Sequence, residues 1–166
     1  MPDASVNVVV TANAMHYFST PEAIAEICRV LVPGGVLGVF YKEPNMDIEP
    51  WTLEVLKESA KWYQQVGVNY DIDDTGHASV GWGLALKASG LFHEIKSATA
   101  AEYDPMNEEM ALEYLMSFGA FNVCSKDQKS KLRERCKKLL HDSYSGVGRK
   151  MTEFPMKSFM YWAKKK

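Results

Sequence analysis

Two short β-branched runs frame the first forty residues, VNVVVT (Val6–Thr11) and VLGVFY (Val36–Tyr41). Each is flanked by turn residues, the pattern of a strand buried in a parallel sheet. Between them the period changes: in STPEAIAEICRVLV the residues Ile24, Ile27, Cys28 and Leu31 recur on one helical face. Ser19 and Glu22 have capping-box spacing, and Thr20 before Pro21 is the alternative cap. Pro33–Gly35 stops the helix. Strand, helix and strand with short joints predict a right-handed crossover unit.

Further along, the pattern predicts a loop over 41–50 and a helix over Trp51–Val66 with Leu53, Leu56, Ala60 and Tyr63 on one face. A short helix over Gly83–Ser89 ends at Gly90. Strands are expected at Phe92–Thr99 and Ser158–Ala163, and helices at Asn107–Phe118 and Lys126–His141, the latter stacking Leu132, Cys136, Leu139 and Leu140. The expected fold class is α/β, a sheet of about four strands with flanking helices and a helical insertion before the last strand. The chain reads as a single domain: a strand–helix–strand half-core over 1–45, a helix and a strand over 46–105, the helical insertion over 106–150, and a closing strand and tail over 151–166.

Composition narrows the function classes. The 166 residues are 46% hydrophobic and 24% charged with a net charge of −2, which gives no field to attract nucleic acid or an anionic membrane. No apolar run approaches the roughly 20 residues that cross a bilayer. Cys28, Cys124 and Cys136 have no metal-ligand spacing and read as reduced thiols of a cytoplasmic protein. The basic segment Lys126–Lys138 lacks interleaved aromatics and reads as the solvent face of an amphipathic helix. Asp73, Asp74 and His77 match no metal motif and read as a solvated turn, so no metal is expected.

PDASVNVVVTANAMHYF followed by AIAEICRVLVPGGVLGVF resembles the second half of a class I S-adenosylmethionine-dependent methyltransferase. RVLVPGGVLGVF is the specific part of the match. MNEEMALEYLMSFGAFN resembles the helical insertion of the trans-aconitate-methyltransferase-like branch, and FPMKSFMYWAKKK its closing strand.

The resemblance implies a cofactor, S-adenosylmethionine, facing Thr11, Ala12, Asn13 and Ala14. It implies small-molecule methyl transfer with His16 as the base, just past the carboxyl end of a parallel strand, where open α/β sheets bind ligands. Tyr17, Tyr41, Trp51, Tyr114 and Phe118 would line the substrate pocket, within a wider aromatic set of Trp62, Trp82 and Phe121 and a Met-rich helix face with Met106, Met110 and Met116.

The family's glycine-rich loop and acidic ribose ligand would fall before Met1. GWG (Gly81–Gly83) does not replace them and reads as a turn or helix start. About half of the usual sheet is therefore expected, with Val6–Thr11 as an open edge free of Pro, Lys or a bulge signal. Such an edge invites a homodimer, the favoured outcome, or a separate completing chain, unless the chain is a fragment of a longer product or a local segment covers the edge. Two function classes follow: a methyltransferase completed by its missing half, and a non-catalytic remnant acting as a dimeric binding or assembly module.

Overall fold

The computed structural model describes residues 1–65 and 80–166. The elements in chain order are β1 (Val6–Ala12), α1 (Met15–Phe18), α2 (Pro21–Val30), β2 (Leu31–Pro44), α3 (Thr52–Gln65), α4 (Val80–Ala88), β3 (Lys96–Asp104), α5 (Glu108–Met116), α6 (Lys126–Ser143) and β4 (Phe154–Lys164). The four strands form one sheet in the order β1-β2-β4-β3. The mixed α/β class and the helices before the last strand are those expected from the pattern. The acidic turn at Asp73, Asp74 and His77 lies outside the described residues.

β1 and β2 are parallel, with Val9 opposite Leu37 and Thr11 opposite Val39. β1 ends the strand order, so it is a sheet edge among the described residues. The edge is not free of irregularity: the register shifts between Val6 and Val8.

Two compact units are described separately. The first takes Met1–Glu43, the described part of Val68–Ala100 and Lys157–Lys166. Its core holds Met15, Ile24, Cys28, Leu31, Leu37, Val39, Tyr41, Trp82 and Phe159, so the α2 stripe meets one face of the β1–β2 pair. Thr20, not Ser19, caps α2, its side chain accepting from the Ala23 N–H at 3.2 Å with Pro21 beginning the helix.

Three strands differ from the expectation, β4 beginning at Phe154 instead of Ser158. β2 starts at Leu31 and runs through Pro33–Gly35 instead of beginning at Val36. Leu31 turns extended (φ −70°, ψ 139°) while its N–H still bonds the Ile27 carbonyl, so the helix ends without help from the glycines. Gly34 instead takes φ +74° inside the strand, and a Cβ on Gly35 would lie 2.8 Å from the Val32 carbonyl oxygen. β3 lies at Lys96–Asp104 instead of Phe92–Thr99. Phe92 is buried and makes only an isolated antiparallel bridge to Lys165. α1 was not expected from the sequence.

The second unit takes the described part of Pro44–Gly67 with Ala101–Met156. The buried stripe of α3 runs through Thr52, Val55, Leu56, Ser59 and Ala60, which keeps Leu56 and Ala60 of the expected face and leaves Leu53 half-buried. The two hydroxyls are tolerated there because Thr52 donates to the Glu49 carbonyl and Ser59 to the Leu56 carbonyl, both at 2.7 Å. Asn107 caps α5 through the Met110 N–H at 2.8 Å. Ser125 and Gln128 close a capping box on α6, whose Leu132, Cys136 and Leu140 are buried. The basic face of α6 is laced with ion pairs, Lys131 to Asp127 and Arg135 to Glu54, both at 2.8 Å.

Candidate functional site

The parallel pair places the end of β1, Thr11–Ala12, beside Val39–Phe40 of β2. The chain then turns at Asn13, which holds a left-handed φ of +48°, a conformation Asn tolerates better than most residues. Its backbone N–H donates to the Phe40 carbonyl at 2.8 Å, and its Oδ1 accepts from the Lys42 N–H at 2.9 Å. Asn13 thus extends the ladder past the end of β1 and clasps β2 with its side chain.

Around this turn Ala12 and Asn13 are exposed and Ala14 half-buried, so the strand end is open and lined by small side chains. Thr11 is buried, and its Oγ1 has no hydrogen-bond partner among the described residues. A buried hydroxyl with nothing to bond is costly unless a bound polar group answers it. That atom lies at the carboxyl end of a parallel strand, beside the exposed Ala12 and Asn13.

His16 follows on α1 and is buried, with 5% of its surface exposed. Its backbone N–H donates to the Tyr41 hydroxyl at 3.1 Å, and its Nδ1 lies 3.2 Å from the same oxygen. Burial lowers the imidazole pKa to about 4, so it is neutral near neutral pH. Burial also raises the Tyr41 pKa, which keeps the hydroxyl protonated and able to donate to Nδ1. The Tyr41 ring stacks on Trp82 with 6.3 Å between centroids, and Trp82 meets Tyr161 edge-on at 5.2 Å. Tyr17 is half exposed, its ring 4.1 Å from the His16 ring.

Thr11, Ala12, Asn13, Ala14, His16, Tyr17 and Tyr41 are therefore neighbours in the first unit. Trp51, Tyr114 and Phe118 belong to the second. There Tyr114 meets Phe118 edge-on at 5.5 Å, and Phe118 stacks on the buried Phe121 at 5.9 Å. Trp51 sits 6.2 Å from the Phe154 ring and donates its indole N–H to Glu49 Oε2 at 2.8 Å.

A buried polar cluster in the second unit escaped the sequence reading. Glu49 is buried, and the Tyr144 hydroxyl donates to its Oε1 at 2.5 Å. Burial and the Glu49 carboxylate both push the Tyr144 pKa up. Arg149 lies over the Tyr144 ring at 5.0 Å. No local signal in the sequence joins residues 95 positions apart.

Among the described residues, no group of three or more His, Cys, Asp or Glu side chains could hold a metal ion. No helix among them is long and apolar enough to cross a membrane.

Residues 1–39 match the family model described as a methyltransferase domain. An uncharacterized methyltransferase-like protein of Schizosaccharomyces pombe is 40% identical over 57 residues, 34% of this chain and 22% of that protein. Among solved structures, the YcgJ protein of Bacillus subtilis aligns with a TM-score of 0.51 at 17% identity, over 100% of this chain and 66% of that one. A candidate type II methyltransferase of Anaeromyxobacter dehalogenans aligns equally well, with a TM-score of 0.51, 17% identity, and 100% and 66% coverage. The chain thus spans about a fifth of the curated relative's length.

Proposed function

We propose, for a chain that carries part of a methyltransferase domain in a Rossmann-like methyltransferase fold, that its function is S-adenosylmethionine-dependent methyl transfer to a small molecule, performed when a partner chain or the N-terminal half of the domain completes the sheet along β1. The observation that carries this reading is the open end of β1, where Thr11 Oγ1 is buried without a partner beside the exposed Ala12–Asn13 turn. The match of residues 1–39 to the methyltransferase domain supports it. The cofactor, when bound, supplies a methyl group already activated on a sulfonium.

The residues of this chain then have distinct tasks. Thr11, Ala12, Asn13 and Ala14 offer small side chains, a hydroxyl and backbone groups to the ligand. Asn13 holds the two strand ends together while doing so. His16, the expected base, is buried, neutral and anchored to Tyr41, which supports a positioning role beside Tyr17. Within the first unit, Tyr17 and Tyr41 remain the proposed substrate-side aromatics. The free thiols of Cys28, Cys124 and Cys136 support a reducing, cytoplasmic setting.

Titration calorimetry with S-adenosylmethionine and S-adenosylhomocysteine tests the reading. Micromolar binding that weakens in Thr11→Val supports it. Absence of binding, in the chain alone and with a glycine-loop half of a methyltransferase added, overturns it. The second reading, a non-catalytic assembly module, is favoured by the position of β1 at the sheet edge.

A further inference from the structure

Residues 164–166 close the start of β2. The Lys165 N–H donates to the Gly35 carbonyl and its Nζ to the Leu31 carbonyl, both at 2.8 Å. Leu31 begins β2, so this end is opposite to the Thr11–Ala14 turn, which follows the part of β1 beside Val39–Phe40. Two clefts open here, of about 200 Å3 and about 380 Å3. They adjoin, because His93 and Glu94 line both. Lys96, Lys164 and the half-buried Trp162 line the smaller cleft, and Lys87 and Lys166 the larger. Backbone bonds hold the walls in place: the His93 N–H donates to the Lys164 carbonyl at 2.8 Å, and the Lys166 N–H to the Leu91 carbonyl at 3.1 Å.

The lysines are the unusual part. Lys87, Lys96, Lys164 and Lys166 are all exposed, and none is in an ion pair among the described residues. Arg29, Lys131, Arg133 and Arg135, by contrast, each pair with an acid. One acid, Glu94, stands among the four lysines. Cations gathered in this way repel one another, and a polyanion relieves the repulsion. The net charge of −2 belongs to the whole chain, while the field at these clefts is positive.

We infer that this surface binds a single-stranded nucleic acid, with phosphates at the lysines and a base on Trp162. A single strand combines the two chemistries that the clefts offer to, a repeating anion and a flat aromatic face. A duplex keeps its bases stacked inside and presents none to an indole lining a cleft. An acidic peptide brings the charge without the planar ring. A bilayer surface is flat, whereas these lysines surround concave walls. The inference does not rest on methyl transfer, since the clefts and the Thr11–Ala14 turn lie at opposite ends of β2.

Fluorescence anisotropy of a labelled oligouridylate of about ten nucleotides, titrated with the full chain, tests this. Binding is expected at low salt and should weaken as salt rises. Lys96→Gln/Lys164→Gln and Lys87→Gln/Lys166→Gln should each bind more weakly. Each should also flatten the slope of log affinity against log salt by about 1.4, from two contacts at roughly 0.7 each. Lys131→Gln/Arg135→Gln removes the same charge from α6 and should bind like the unaltered chain. The strand should quench tryptophan emission, and Trp162→Phe should lose most of that quenching while the affinity stays close. All the substituted cations are exposed, and circular dichroism checks the fold of each variant. The inference is overturned by absence of binding at low salt, or by equal weakening in the α6 variant. It is equally overturned by quenching that persists in Trp162→Phe, by equal binding of a duplex, or by displacement of the strand with polyglutamate at equal charge. Calorimetry with S-adenosylmethionine is independent of these readouts, so failure here and failure of the methyltransferase reading are distinguishable.

Discussion

The hydroxyl of Tyr41 serves two atoms of His16 at once, accepting from its backbone N–H at 3.1 Å and facing its Nδ1 at 3.2 Å. This pins α1 to the middle of the sheet, since Tyr41 is a core residue of β2. Tyr41→Phe keeps the ring on Trp82 but removes the hydroxyl that accepts from the buried His16 N–H. Urea unfolding is expected to show a loss of about 1–3 kcal/mol. A change within error would mean that the hydroxyl does not hold the helix.

The same pair sets a pH dependence. The folded-state pKa of His16 lies below its ordinary value of 6.5, at about 4. Between these values the unfolded chain binds the proton and the folded chain does not. The contribution to stability is therefore whole above pH 6.5 and lost as pH falls toward 4, with a slope of at most ~1.4 kcal/mol per pH unit. Unfolding midpoints measured across this range should fall for the unaltered chain and fall less for His16→Gln.

In the second unit, the Tyr144 hydroxyl and the Trp51 indole each bond one oxygen of the buried Glu49. Tyr144→Phe removes the donor to Oε1 and should destabilise by roughly 1–3 kcal/mol in denaturant unfolding. Glu49→Gln should recover part of that loss in the double variant, because the charge left unanswered is then gone. Equal losses in the single and double variants would show that the hydrogen bond is not the cause.

What the sequence disclosed and what it hid follow one physical division. β1, α2 and the core of β2 were legible because burial imposes a period, and the turn that follows Thr11 was legible because the β-branched run stops there. β3 was displaced because nearly all of Lys96–Asp104 is exposed, so no alternation marks it, while the buried Phe92 drew the expected strand toward itself. The PGG segment was read as a stop because its residues break helices, yet the helix had already ended at Leu31. The burial of His16 depends on Tyr41, 25 positions away, and no local pattern carries that distance.

Gly35 tests the corrected course of β2. A Cβ there would stand 2.8 Å from the Val32 carbonyl and 3.1 Å from the Asn7 carbonyl, both backbone atoms with little room to move. Gly35→Ala should therefore cost about 1–3 kcal/mol through overpacking. Gly34 has open space around it, so Gly34→Ala should show only the cost of its left-handed φ, of order 1 kcal/mol. Reversal of that order in thermal unfolding would argue against a strand running through both residues.

Asn13 separates structure from ligand binding at the proposed site. Its left-handed φ favours Asn or Gly, and its Oδ1 holds the Lys42 N–H at 2.9 Å. Asn13→Gly keeps the backbone conformation and removes the clasp; Asn13→Ala removes the clasp and strains the turn. If the strand ends form the ligand site, both should weaken S-adenosylhomocysteine binding, whereas a purely backbone role predicts that Asn13→Gly binds like the unaltered chain. Asn13→Ala should also lower stability by about 1–2 kcal/mol more than Asn13→Gly, because only the alanine pays for the positive φ. Calorimetric titration of both variants, read beside their unfolding curves, assigns the residue: an affinity loss in Asn13→Gly without a matching stability loss places the side chain at the ligand, and loss of stability alone confines it to the turn.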